Sequence, residues 1–209
     1  MSSLLSALLG VMLVPLFVST WRTSLLGLAC QGALMALIAH QLDPALHSWA
    51  AWVTLIHLAL IRGVLAPLAL YTVLRARNAP ARNDVIPPNL LSWSVAIAMV
   101  LMAFRFAGWL VEAPGEGQTL VAVATSGVLL GFLVLSTQSD VFSQMIGVLR
   151  IENAIALLEL SSERHESIVG LELGLIGVFV LTVAFFRWYL IALDSRVATQ
   201  PADTEGPTL

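Results

Sequence analysis

The stretch QMIGVLRIENAIALLEL, Gln144 to Leu160, decides the fold class. It lies in a run, 140–161, that is apolar at most positions and does not alternate polar with apolar residues. About 20 such residues are what a helix needs to cross a hydrocarbon core roughly 30 Å thick. Backbone polar groups in lipid must be satisfied within the segment, so the run reads as a helix. A membrane strand would show alternation instead. Against this background Arg150, Glu152 and Glu159 stand out, because an ionised group at mid-membrane costs roughly 2.5–3.5 kcal/mol even on a lenient scale. A passive anchor needs none of them.

Working outward, six more apolar runs follow the same logic. The seven predicted spans are 3–20, 24–41, 50–74, 89–111, 119–137, 140–161 and 167–191. Trp21-Arg22-Thr23 reads as a tight first turn and Asp43-Pro44 as a turn between the second and third spans. The longest connection, 75–88, carries Arg75, Arg77 and Arg82 with Pro80, Pro87 and Pro88. Pro15 and Pro67 fall within spans and are expected to kink them. From 194 to 209 the chain turns polar and reads as a disordered cytoplasmic tail. The expected class is therefore all-α and polytopic, with seven spans before the tail.

Charge placement supplies an orientation. All ten cations are arginine. Arg22, Arg75, Arg77, Arg82 and Arg196 fall on one side of the predicted layout, and Asp43, Glu112, Glu116, Glu163, Arg164 and Glu166 on the other. The positive-inside rule then puts the N-terminus outside and the C-terminus in the cytoplasm. Trp21, Trp49, Trp52, Trp109, Trp188 and Tyr189 lie near span ends, as an interfacial aromatic belt requires. Only 11% of residues are charged and there is no dense basic patch, which excludes a nucleic-acid role. Cys30 stands alone in an apolar run and reads as core. No phosphate-binding glycine loop is present, and His40, His47, His57 and His165 lack metal-ligand spacing.

The buried ionisable residues sort by geometry. Glu152 and Glu159 are seven apart, so they share a face about 10 Å apart along the axis. Arg150 lies about 200° around the helix from Glu152 and should meet a different partner. Glu172 follows in the next span, after a short turn, and is expected to approach Glu152 or Glu159. Carboxyl groups clustered in a low dielectric can exchange protons near neutral pH, which is the chemistry of a relay. His57 can hold or pass a proton. Arg62 cannot release one, so its expected part is a fixed positive charge. Arg62 is five residues from His57 and predicted to point to a somewhat different side. Arg105 in the fourth span is a further candidate for electrostatic tuning, unless it snorkels to the outer surface. A weak internal echo pairs GLACQGALMAL, 27–37, with GVLRIENAIAL, 147–157, and with a one-residue gap Gln31 with Glu152.

QMIGVLRIENAIALLEL and the following IVGLELGLIGVFVL, Ile168 to Leu181, resemble the last two helices of NuoK-like subunits, which include the C subunit of Mrp-type antiporters. The whole layout resembles hydrogenase-4 component E, the HyfE family of complex-I-like, membrane-bound group 4 hydrogenases, which implies two membrane regions, a four-helix region at 1–118 and a NuoK-like three-helix unit at 119–193. The resemblance is carried most specifically by Ile151-Glu152-Asn153-Ala154-Ile155, and more loosely by Gln31 and HLALIRGVLAPL, His57 to Leu68. Component E proteins usually show a lysine at the position of Arg62. Glu172 matches the last-helix glutamate of the family directly. Glu152 matches by face, one turn beyond Leu149. The resemblance implies a non-catalytic inner-membrane subunit of a bacterial or archaeal oxidoreductase complex that binds no cofactor or metal itself. Its expected partners are antiporter-like subunits and subunits anchoring a quinone or hydrogenase module. Its expected role is part of a redox-coupled proton or sodium path through Glu152, Glu172, Glu159 and His57, tuned by Arg62, Arg150 and Arg105. The rivals are a component of a Mrp-type cation/proton antiporter and a structural scaffold of the membrane arm.

Overall fold

The computed structural model describes residues 1–13, 20–46, 48–76, 90–111, 114–161 and 169–198. They form seven helices: α1 (Ser2–Leu13), α2 (Trp21–Leu42), α3 (Trp49–Ala76), α4 (Leu90–Leu110), α5 (Glu116–Thr137), α6 (Val141–Ser161) and α7 (Val169–Ala198). Six of them, α2 to α7, are long and apolar enough to cross a membrane, which makes the chain a multi-pass membrane protein. The 12 described residues of α1 are apolar but fall short of a span. Pro15 and the rest of 14–19, where the first predicted span ends, lie outside the described residues. So do His47, 77–89, 162–168 and 199–209. The last helix continues to Ala198, past the predicted end of its span.

Local chemistry sets the helix starts. The expected turn at Trp21 is in fact the first turn of α2, capped by Thr20, whose hydroxyl accepts from the Thr23 amide. Ser48 caps α3 in the same way through the Ala51 amide. Asp140 caps α6, its carboxylate accepting from the Ser143 amide at 3.1 Å. Each cap satisfies an amide that the first turn leaves without a partner.

The third span is not a uniform α-helix. His57–Leu65 winds as a π-helix between α-helical segments Trp49–Ile56 and Ala66–Ala76. Pro67 follows at once, and without an N–H it cannot carry on the backbone hydrogen-bond ladder at that point of α3. Across the π stretch α3 meets α2 backbone to backbone. A Cβ placed on Gly32 would lie 2.5 Å from both the Cα and N of Gly63. Lipid tails are as apolar as leucine, so helices in a membrane gain little from burying apolar surface; close approach at small residues drives packing instead. A second such seam joins α5 to α6, where a Cβ on Gly131 would lie 2.5 Å from Ile151 Cγ1 and one on Gly127 would lie 2.9 Å from the Cβ of Ala154.

The other contacts complete the bundle. α4 packs on α5, and α1 packs on α2 and α5. α7 rests chiefly on the second half of α3 and touches α6 more sparsely, although it follows α6 in the chain. Two larger apolar clusters and a small one, Ala107 with Val121 and Ala122, fill the interior among the described residues. Of the larger two, one gathers Leu5, Leu8, Met35, Ile38, Leu58 and Leu157; the other gathers Leu25, Leu70, Ile146, Leu149 and Phe179. Phe179 of the second cluster lies against the Arg62 guanidinium.

Candidate functional site

Arg62 is the centre of the site and is only 2% exposed. In an α-helix residues five apart would be about 140° apart around the axis. The π-helix closes its turn on i and i+5, so His57 and Arg62 come together, contrary to the sequence expectation that they diverge. Arg62 Nε donates to His57 Nε2 at 3.0 Å. To accept there, His57 must be the neutral tautomer with its proton on Nδ1. Arg62 Nη1 donates to Asn153 Oδ1 on α6 at 2.7 Å. The guanidinium carbon lies 4.0 Å from the ring centroid of Phe179 on α7, and the His57 ring meets the same phenyl edge-on at 6.3 Å.

Magnitudes explain why this cation can stay in the membrane. Each hydrogen bond to a charged group contributes about 1.5–3 kcal/mol. A desolvated cation–π contact adds about 2 kcal/mol. Together they offset an insertion cost of roughly 2.5–3.5 kcal/mol.

Glu152 and Asn153 are adjacent on α6 and so face about 100° apart. Asn153 therefore turns to α3 and Arg62, while Glu152 turns to α7. There the Thr182 hydroxyl donates to Glu152 Oε1 at 2.7 Å. Glu152 Oε2 is buried without a hydrogen-bond partner. Glu152 and Glu159 are both half-buried, and both lie close enough to Arg62 for the charges to interact. Ile-Glu-Asn at 151–153 thus links three helices: α6 to α3 through Asn153, and α6 to α7 through Glu152.

The predicted residues separate accordingly. His57, Arg62, Glu152 and Glu159 come together. Arg150 is buried elsewhere and donates to the Met12 carbonyl oxygen of α1 at 3.4 Å, the different partner its angular position required. Arg105 is exposed on α4 and lies outside the hydrogen-bonded cluster. Glu172 falls in the first turn of α7, and its side chain lies outside the described residues. Gln31 is 2% exposed beside the Gly32 crossing, and its amide nitrogen has no hydrogen-bond partner.

Two contributors, Thr182 and Phe179, are not legible as site residues from helix periodicity. Thr182 does carry one signal: between Val169 and Phe186 it and Glu172 are the sole polar side chains. A hydroxyl retained at mid-helix in an otherwise apolar run needs a partner. Comparison of the chain with protein-family models, with curated proteins and with solved structures finds no match. The functional reading therefore rests on this geometry and on the residues quoted above.

Proposed function

We propose that the chain is a membrane subunit of a complex-I-like, group 4 hydrogenase-type assembly in a bacterial or archaeal inner membrane, and that it contributes buried charged residues to a redox-coupled proton or sodium path. The observation that carries the reading is the Arg62 cluster, in which His57, Asn153, Glu152 and Thr182 join three helices through hydrogen bonds. Ionisable groups so placed in a membrane are costly, and their ordinary use is in ion paths and relays. Glu152 is the proton-exchanging member, with Glu159 on the same face and Glu172 in the next helix. Arg62 is the fixed charge that sets the field at the carboxyl groups. His57 holds the guanidinium through Nε2, and that nitrogen is free to take a proton only when Arg62 turns away. Seven spans with the N-terminus outside complete the proposal, on the strength of the arginine distribution.

Glu152→Gln keeps shape and hydrogen bonding but removes the exchangeable proton. In membrane vesicles holding the intact assembly, coupled ion translocation is expected to fall by about tenfold or more, with assembly unchanged. Glu172→Gln is expected to do the same. Wild-type translocation by both variants would refute the path. Reduced assembly with full activity per assembled complex would favour a scaffold. Mass spectrometry of co-purified subunits separates the proposal from a Mrp-type antiporter: a hydrogenase-like large subunit is expected here and not in the rival.

A further inference from the structure

Thr182 has a chemistry that an ion path alone does not use. Its oxygen lies 2.7 Å from Glu152 Oε1 and 2.9 Å from the carbonyl oxygen of Val178, one turn earlier in α7. A threonine hydroxyl has one proton to give and lone pairs with which to receive. A carboxylate and a backbone carbonyl can only accept. The two neighbours therefore compete for one proton, and the charge on Glu152 decides the outcome.

With Glu152 ionised, the proton points to Oε1, because the charge-assisted bond is the stronger. Once Oε1 carries a proton of its own, the carboxyl O–H donates to Thr182 Oγ1. The Thr182 proton then turns to the Val178 carbonyl. One proton has been added at Oε1, and no covalent bond of Thr182 has broken. Thr182 supplies the hydrogen bond to this carboxyl group, since Oε2 is buried without one.

We propose that Thr182 is a positioning residue that transmits the protonation state of Glu152 to α7, by switching its hydrogen bond to the Val178 carbonyl on and off. Side-chain bonds from threonine to the carbonyl four residues back bend helices. The turn affected contains Phe179, whose ring lies under the Arg62 guanidinium. A bend there reaches the cation that faces Glu152, so the carboxyl group and its counter-charge are coupled through α7. Among the described residues, the charged group that acts on Glu152 is Arg62 from α3, with His57 behind it, while Glu159 lies two turns further along the same face of α6. The proposal rests on the reading of Glu152 as a proton-exchanging residue.

The test pairs infrared spectroscopy with translocation in the intact assembly. The protonated-carboxyl band of Glu152 is identified as the one that Glu152→Gln abolishes. In Thr182→Val, which keeps the shape and loses the hydroxyl, the band is expected to move to the frequency of a carboxyl group without a hydrogen bond. Thr182→Ser is expected to keep the wild-type position. Translocation should fall about three- to tenfold in Thr182→Val, the scale of one hydrogen bond, and stay near wild type in Thr182→Ser. An unmoved band in Thr182→Val overturns the proposal, as does the absence of any Glu152 band at acidic pH. A moved band with wild-type translocation in Thr182→Val, while Glu152→Gln is impaired, overturns the coupling to α7 and leaves the path intact. Wild-type translocation by both Glu152→Gln and Glu172→Gln defeats the path alone, and the band position then decides the switch.

Discussion

Gly32→Ala is expected to open the crossing between α2 and α3 and to lower the thermal unfolding midpoint of the detergent-solubilised protein by about 6–12 °C. The new methyl carbon would lie 2.5 Å from the Cα and N of Gly63 and 2.9 Å from the carbonyl carbon of Arg62. All three neighbours are backbone atoms, so no side chain can rotate out of the way. The helices must part by about an ångström, and Arg62 moves with α3. Overpacking of this kind costs typically 1–3 kcal/mol, and rigid neighbours place it at the upper end. For a chain of this length each kcal/mol lowers the midpoint by about 2–4 °C. Gly10→Ala is the control, because a Cβ there meets nothing within 4 Å and should leave the midpoint unchanged. Equal midpoints for the two variants would contradict the backbone contact.

Asn153→Leu should destabilise the protein by about 3 kcal/mol, although the side chains are similar in size. The asparagine oxygen is the acceptor for Arg62 Nη1 at 2.7 Å in a site closed to water. Leaving a buried donor without its acceptor costs about 1–3 kcal/mol, and more when the donor is charged. Here the donor is a cation that His57 and Phe179 still hold, which puts the expectation at the upper end of that range. Arg62→Met removes the charge itself and should cost less than a charge left stranded. The double variant should then be more stable than the sum of the single losses predicts, by about 1.5–3 kcal/mol. Additive losses in reversible unfolding would show that Arg62 and Asn153 do not support one another.

The helices and the faces of each helix are legible in the sequence; most of the packing between helices is not. Apolar run length identified α2 to α7 because lipid leaves the backbone no alternative to the helix. Helical periodicity placed Glu152 and Glu159 together and sent Arg150 elsewhere, since angular position within one helix is fixed by 3.6 residues per turn. Chain order makes α6 a neighbour of α7, and the two do meet, through Glu152 and Thr182. It does not reveal that α7 rests chiefly on the second half of α3, where Phe179 and Leu190 pack. The meeting of His57 with Arg62 was missed for a different reason. It depends on a π turn, and no residue pattern marks one. The features that accompany it, the Gly32–Gly63 contact and the guanidinium bonded to α6, are tertiary.

The uneven burial of the helices has a mechanical meaning. In α7 only 11% of the membrane-length segment is buried, against 56% in α5 and 61% in α6. A steady pull on the C-terminal end would therefore extract the protein in unequal steps. α7 would leave first, its protein contacts lying chiefly on the second half of α3 and at side chains such as Phe179 and Thr182. The next step would be the strong one. The Gly127 and Gly131 seam locks α6 onto α5, so the two helices should leave together as a hairpin. Force spectroscopy would record that pair as a single rupture, and α7 as the loosely held strap in front of it.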